Sequence, residues 1–210
     1  MSSREFLTGL LLILCGYLSG SVMFARVIPM IMKNKDICEL STDGNPGVFN
    51  AFDLCGWRIG FLCLAFELGK GCIPVMAALV MTNGTGLLLS AVMVSAVLGH
   101  AFPVFNRFRG GKCIAVIFGE LIALLRITPV CLILAVLYIL FSTVLKINPN
   151  RRRSIVTFSL FIPISVITEL YFHRSAVAAG CAAVSMIAIY KHLTDRSDSR
   201  RTETERQTDK

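Results

Sequence analysis

The charged residues of this 210-residue chain are largely confined to the gaps between long apolar runs. Those runs cover residues 6–32, 57–81, 87–105, 113–125, 129–145, 154–172 and 176–190. A helix that crosses a bilayer needs about 20 predominantly apolar residues, and runs 113–125 and 176–190 are short by that measure. The pattern predicts an all-α, polytopic integral membrane protein of about seven transmembrane helices, or five or six if short runs do not cross. Only 16% of the residues are charged, against about a quarter in an average globular protein. The net charge of +8 would suit nucleic acid if it formed one patch. Its division into short clusters between apolar runs points instead to the lipid bilayer, with no nucleic-acid partner.

Lys and Arg gather on the cytoplasmic side of membrane proteins, so their distribution sets the orientation. With seven spans, one side receives all 21 basic residues except Arg4, Arg126, Arg174 and the intramembrane Lys70. That asymmetry places the N-terminus outside and the C-terminus in the cytoplasm, and it favours an odd number of spans. The first apolar run is too long, and lacks a small-residue cleavage site, to be a removable signal peptide. Residues 1–195 are expected to form one transmembrane domain, and the polar, mixed-charge residues 196–210 a cytoplasmic tail. The eight cysteines form no C-x-x-C pair and mostly lie in apolar runs, where a free thiol packs as a small hydrophobe. The three histidines share no ligand spacing with them, so no metal site and no cofactor is expected.

Four polar segments are not explained by the apolar background. In the long loop 33–56, Gly44-Asn45-Pro46-Gly47 specifies a turn, because Gly admits unusual φ values and Pro fixes φ. A loop of that length with few charges is expected to be folded and functional. Glu67 and Lys70 stand three apart on one helical face and can pair; an ionisable group inside a span faces the protein interior or a wet cavity. In Gly99–Lys112, Pro103 and Gly110-Gly111 interrupt a helix, and Phe102, Phe105 and Phe108 mark the membrane border. Consecutive Gly amides before a helix start, with Arg109 and Lys112 beside them, can cradle an anion. The stretch fails the nucleotide P-loop pattern, since Asn106 replaces the first Gly and Cys113 the Ser or Thr. The fourth segment, Lys191-His192-Leu193-Thr194-Asp195, closes the last span, where a cation suits the helix dipole.

Together these segments resemble the bacterial acyl-phosphate:glycerol-3-phosphate acyltransferases, the PlsY family. That family's G-S-x-x-x-(A/G) is matched by Gly20-Ser21-Val22-Met23-Phe24-Ala25. Its G-S-G-N-P-G-A-T-N is similar to Thr42-Asp43-Gly44-Asn45-Pro46-Gly47-Val48-Phe49-Asn50. Its F-D-x-x-K-G-x-x-P corresponds to Phe66–Pro74, and G-H-x-x-P-V-F-x-x-F-K-G-G-K-G is nearly reproduced from Gly99 to Cys113. Its R-H-x-x-N appears as Lys191–Asp195, so order and spacing agree over about residues 16–196.

The resemblance implies a seven-helix fold in the bacterial cell membrane with its site facing the cytoplasm. It implies acyl transfer from acyl phosphate to the 1-hydroxyl of glycerol 3-phosphate, giving lysophosphatidate and phosphate without metal or coenzyme A. Lys112, His192, Asp43 and Asp195 fall on the positions expected to be catalytic. Ser21, Gly44, Asn45, Gly47, Asn50, Lys70, His100, Arg109, Gly110, Gly111 and Ser154 fall on those expected to bind the phosphorylated substrates. Six departures from the family pattern bear most on its chemistry. Glu39 and Asp53 replace arginines, Asp43 a serine, Asp195 an asparagine, Phe49 a threonine and Cys113 a glycine. Four of these changes introduce carboxylates, which repel phosphate by an energy of order kcal/mol per close pair. A non-catalytic or repurposed membrane binding or regulatory protein is the alternative function. No inverted repeat supports a transporter.

Overall fold

The computed structural model describes residues 3–82 and 86–194, and among them every regular element is helical. α1 (Ser3–Ser21) and α2 (Phe24–Lys33) meet at a 45° bend. Two short helices, α3 (Ile37–Leu40) and α4 (Val48–Cys55), fold the loop that follows. Then come α5 (Trp57–Thr82), α6 (Leu87–Ala101), α7 (Ile114–Ala123), α8 (Val130–Ile139), α9 (Asn150–Tyr171) and α10 (Ser175–Leu193). A 3₁₀ turn at Val104–Asn106 follows α6, and a π turn at Leu140–Val144 extends α8.

Among the described residues, four helices are long and apolar enough to cross a membrane: α5, α6 with its 3₁₀ turn, α9 and α10. The bent α1–α2 pair qualifies as a fifth if it counts as one span. The two remaining apolar segments, Ile114–Ala123 and Val130–Val144, are shorter. At 1.5 Å per residue, the 10-residue α7 reaches about half of a 30 Å hydrocarbon core. Large apolar side chains such as Val80, Leu87 and Ile167 are mostly exposed, as lipid-facing residues must be.

Close approach between helices depends on small residues placed opposite backbone. A Cβ at Gly20 would collide with the Ala96 carbonyl oxygen, and one at Gly99 with that of Tyr17, so α1 and α6 touch reciprocally. α5 and α7 repeat the arrangement, Gly71 meeting Val116 and Gly119 meeting Leu68. Without a hydrophobic force between helices in lipid, such contacts gain dispersion energy that bulkier residues would forfeit. The main core lies among α5–α10, around Met93, Ile117, Leu121, Phe158 and Phe161. A second, small core of Ala25, Ile37, Ala51, Ile59 and Cys63 holds α3 and α4 against α2 and α5. It is this second core that gives the long loop a defined shape.

Candidate active site

The break between α1 and α2 is stabilised by side chains from α5. Helix ends leave backbone groups without intrahelical partners, and here Lys70 Nζ donates to the Val22 carbonyl at 2.6 Å. The Ala25 N–H donates to Glu67 Oε1 at 3.1 Å. Lys70 Nζ lies 2.7 Å from Glu67 Oε2, and His100 Nδ1 lies 3.2 Å from the same oxygen. All three side chains are buried. The expected Glu67–Lys70 pair thus exists, and it anchors the α1–α2 break to α5 and to the end of α6.

The loop before α4 is shaped by Asp43. Its Oδ1 accepts from the Asn45 N–H at 3.1 Å and from the Asn50 side-chain amide at 2.8 Å. That amide also donates to the Asn45 carbonyl at 2.8 Å, and Gly44 supplies a left-handed φ of 62°. Across 69 residues of sequence, Lys112 Nζ donates to Asp43 Oδ2 at 2.9 Å. Burial alone would raise the Asp43 pKa. The hydrogen bond and charge of Lys112, with the Asn50 and Asn45 donors, outweigh it and hold the carboxyl below its ordinary 3.8.

Lys112 is presented by a loop that folds back on α6. Arg107 and Phe108 both adopt left-handed φ, and the Gly111 N–H donates to the His100 carbonyl at 3.2 Å. A Cβ at Gly110 would strike that same carbonyl. The glycine pair therefore serves the backbone turn, and the Gly111 amide is engaged within the protein. Cys113, at the start of α7, has φ 66°, a conformation Gly adopts without the strain an L side chain meets. That accounts for the glycine of the family pattern at this place.

The opposite wall is the start of α9. Arg151 donates to the Leu193 carbonyl at 2.8 Å, and Arg153 Nη2 to the Asn150 side chain at 2.6 Å. Lys191 Nζ donates to the Ala101 carbonyl at 3.0 Å, tying the end of α10 to the end of α6.

These walls enclose a pocket of about 580 Å³. Among the residues singled out by sequence, Asp43, Asn45, Gly47, Asn50, His100, Lys112, Ser154 and His192 line it. Ser21, Gly44, Lys70, Arg109, Gly110 and Gly111 do not. Ser21 is buried, donating to the Tyr17 carbonyl and accepting from the Val104 N–H. Arg109 is exposed. Asp195 lies outside the described residues. Of the introduced acids, Glu39 and Asp53 are exposed and away from the pocket, whereas Asp43 lines it.

Several pocket residues escaped the sequence reading. Leu64 and Leu68 on α5, with Ile114, Phe118 and Ile122 on α7, form an apolar side beside the polar one. The spacing i, i+4, i+8 on α7 was a usable signal, since such residues share a helical face. Arg153 had no comparable signal, being one of three consecutive arginines. Arg26 was also missed: its guanidinium holds Asp36 through Nε at 3.0 Å and reaches the Asn106 side chain at 2.5 Å. It thereby fastens the 33–56 loop to the Lys112 loop. Among the described residues, no three His, Cys, Asp or Glu side chains gather in a way that could hold a metal ion.

The family model for glycerol-3-phosphate acyltransferases matches residues 10–201. A glycerol-3-phosphate acyltransferase of Shouchella clausii is 30% identical over 187 residues, covering 87% of this chain and 88% of that one. Among solved structures, the chain is similar to PlsY, an integral membrane glycerol 3-phosphate acyltransferase, in its glycerol 3-phosphate form. That similarity has a TM-score of 0.77 and 26% identity, and it covers 95% of this chain and 94% of the other. The lysophosphatidic acid form gives a TM-score of 0.72 over 95% of this chain and 93% of the other.

Proposed function

The chain belongs to the glycerol-3-phosphate acyltransferase family, and from that membership we propose that it acylates glycerol 3-phosphate with acyl phosphate as donor. One observation carries the proposal to this chain: a single pocket joins a polar, cation-bearing side to an apolar side. Both reactants are phosphate esters or anhydrides, and one carries an acyl chain, so a site for them needs both kinds of wall. The names of the relatives favour acyl transfer over a non-catalytic role.

In this reaction the 1-hydroxyl oxygen bonds to the acyl carbon, and the bond from that carbon to the phosphate oxygen breaks. The hydroxyl proton leaves with the departing phosphate. Acyl phosphate is already activated, so no enzymic nucleophile is required. Positioning and charge stabilisation supply the acceleration. Lys112, with Arg153 and Ser154 on the facing wall, would hold the phosphate groups, and the Asn45 and Asn50 amides lie beside Lys112. His192 closes the polar side from α10. The acyl chain would lie along Leu64, Leu68, Ile114, Phe118 and Ile122. Lys112, Arg151 and Arg153 border the pocket in the same segments that carry the cationic excess, which supports a cytoplasm-facing site, and the bacterial relatives support a bacterial cell membrane.

The test is an assay of purified protein with acyl phosphate and glycerol 3-phosphate. We expect lysophosphatidate and phosphate in equal amounts, and at least a hundredfold loss for Lys112→Ala. No product above that control overturns the function. Product formed equally well from acyl coenzyme A overturns the choice of donor.

A further inference from the structure

The donors that would meet a phosphate on the Lys112 side of the pocket already hold an anion, and it belongs to the chain. Lys112 Nζ donates to Asp43 Oδ2, while the Asn50 side chain and the Asn45 N–H donate to Asp43 Oδ1. A carboxylate held by one ammonium group and two amide N–H groups makes the kind of contacts that a phosphate oxygen makes. Asp43 lines the pocket, so an incoming phosphate meets it directly.

We propose that Asp43 is a specificity-determining residue: a resident anion that a reactant's phosphate must displace from Lys112 and Asn50, and that returns when free phosphate leaves. The inference rests on the phosphate-ester reading of the pocket. A reactant with further contacts, to Arg153 and Ser154 or along the apolar side, overcomes the competition. Inorganic phosphate lacks the glycerol and acyl contacts that the reactants add and competes poorly. The consequence is weak product inhibition.

The rival role for Asp43, general base toward the hydroxyl, fits the geometry poorly. Both carboxylate oxygens are engaged by N–H donors. Those donors also favour the charged form, which makes the group a weak base.

The experiment measures inorganic phosphate binding to detergent-purified wild type, Asp43→Ser and Asp43→Asn by ³¹P NMR titration, without turnover. Serine restores the family residue and can make a similar local turn. Asparagine keeps the size and an acceptor for the Asn45 and Asn50 donors. A thermal melt of each variant reports folding. We expect phosphate to bind about two- to fivefold tighter in both variants, the change that removal of one partly exposed ion-pair partner produces. Adding Lys112→Ala to Asp43→Ser should abolish that gain. Inhibition patterns against glycerol 3-phosphate and against acyl phosphate then tell which reactant's phosphate Asp43 opposes.

Phosphate binding unchanged or weaker in both folded variants overturns the proposal, as does a gain that survives loss of Lys112. A fall in kcat with unchanged phosphate affinity would indicate the base role and overturns it too. Tighter phosphate binding in a protein that makes no lysophosphatidate would leave this inference standing and remove the acyltransferase function instead.

Discussion

At the scale of single residues, charge placement sets the behaviour of the site. The Asp43 carboxyl is held below its ordinary 3.8, so it faces Lys112 as a carboxylate throughout the neutral range. A carboxyl with a depressed folded pKa contributes stability that is present above its unfolded value and fades as pH falls through the folded one. The melting-temperature difference between wild type and Asp43→Asn should therefore be constant from pH 5 to 8 and shrink below about pH 4. Its plateau should correspond to about 1 kcal/mol, because both side chains retain some exposure, 21% and 24%. A difference that instead vanished between pH 6 and 7 would mean another group controls the pair. The Gly-Asn-Pro-Gly turn and Lys112 were both evident as polar signals in an apolar chain. That Asp43 pairs with Lys112 was not, because 69 residues separate them and no local rule couples two loops.

At the scale of elements, reciprocal glycine contacts decide which helices touch. Gly119 of α7 abuts the Leu68 carbonyl of α5, while a Cβ at Gly69, one residue further along α5, would meet nothing within 4 Å. Gly119→Ala should thus lower stability by about 1–3 kcal/mol, the usual range for overpacking. Gly69→Ala should be neutral or stabilising by up to about 1 kcal/mol, since Ala is the better helix former. Thermal melts in detergent compare the two; equal effects would show that the α5–α7 contact is not backbone-limited. The sequence alone does not separate these glycines, which differ only in what stands opposite. Helix α7 shows the same limit. Its run 113–125 reads as a short span, and the helix itself starts after the left-handed Cys113 and already ends at Ala123, which leaves ten residues in it.

At the scale of the whole molecule, orientation and pocket follow different logic. The excess of Lys and Arg at 33–35, 107–112, 146–153 and beyond 191 predicts one cytoplasmic face. A reporter active only in the cytoplasm should therefore work when fused after residue 194 and fail when fused before residue 1. Activity at both ends, or the reverse pattern, would refute an odd number of spans with the N-terminus outside.

The helical, membrane-embedded character of the protein and its family were determined by the sequence by itself, because apolar length and local motif spacing are properties of the chain read in order. The pairing of Lys70 with the Val22 carbonyl was decided only by the tertiary structure. So were the engagement of the Gly111 amide by His100, the exposure of Glu39 and Asp53, and the seat of Asp43 on Lys112. Each depends on which backbone groups the bends leave without partners and which loops the helix packing brings together, and neither is encoded within a single segment.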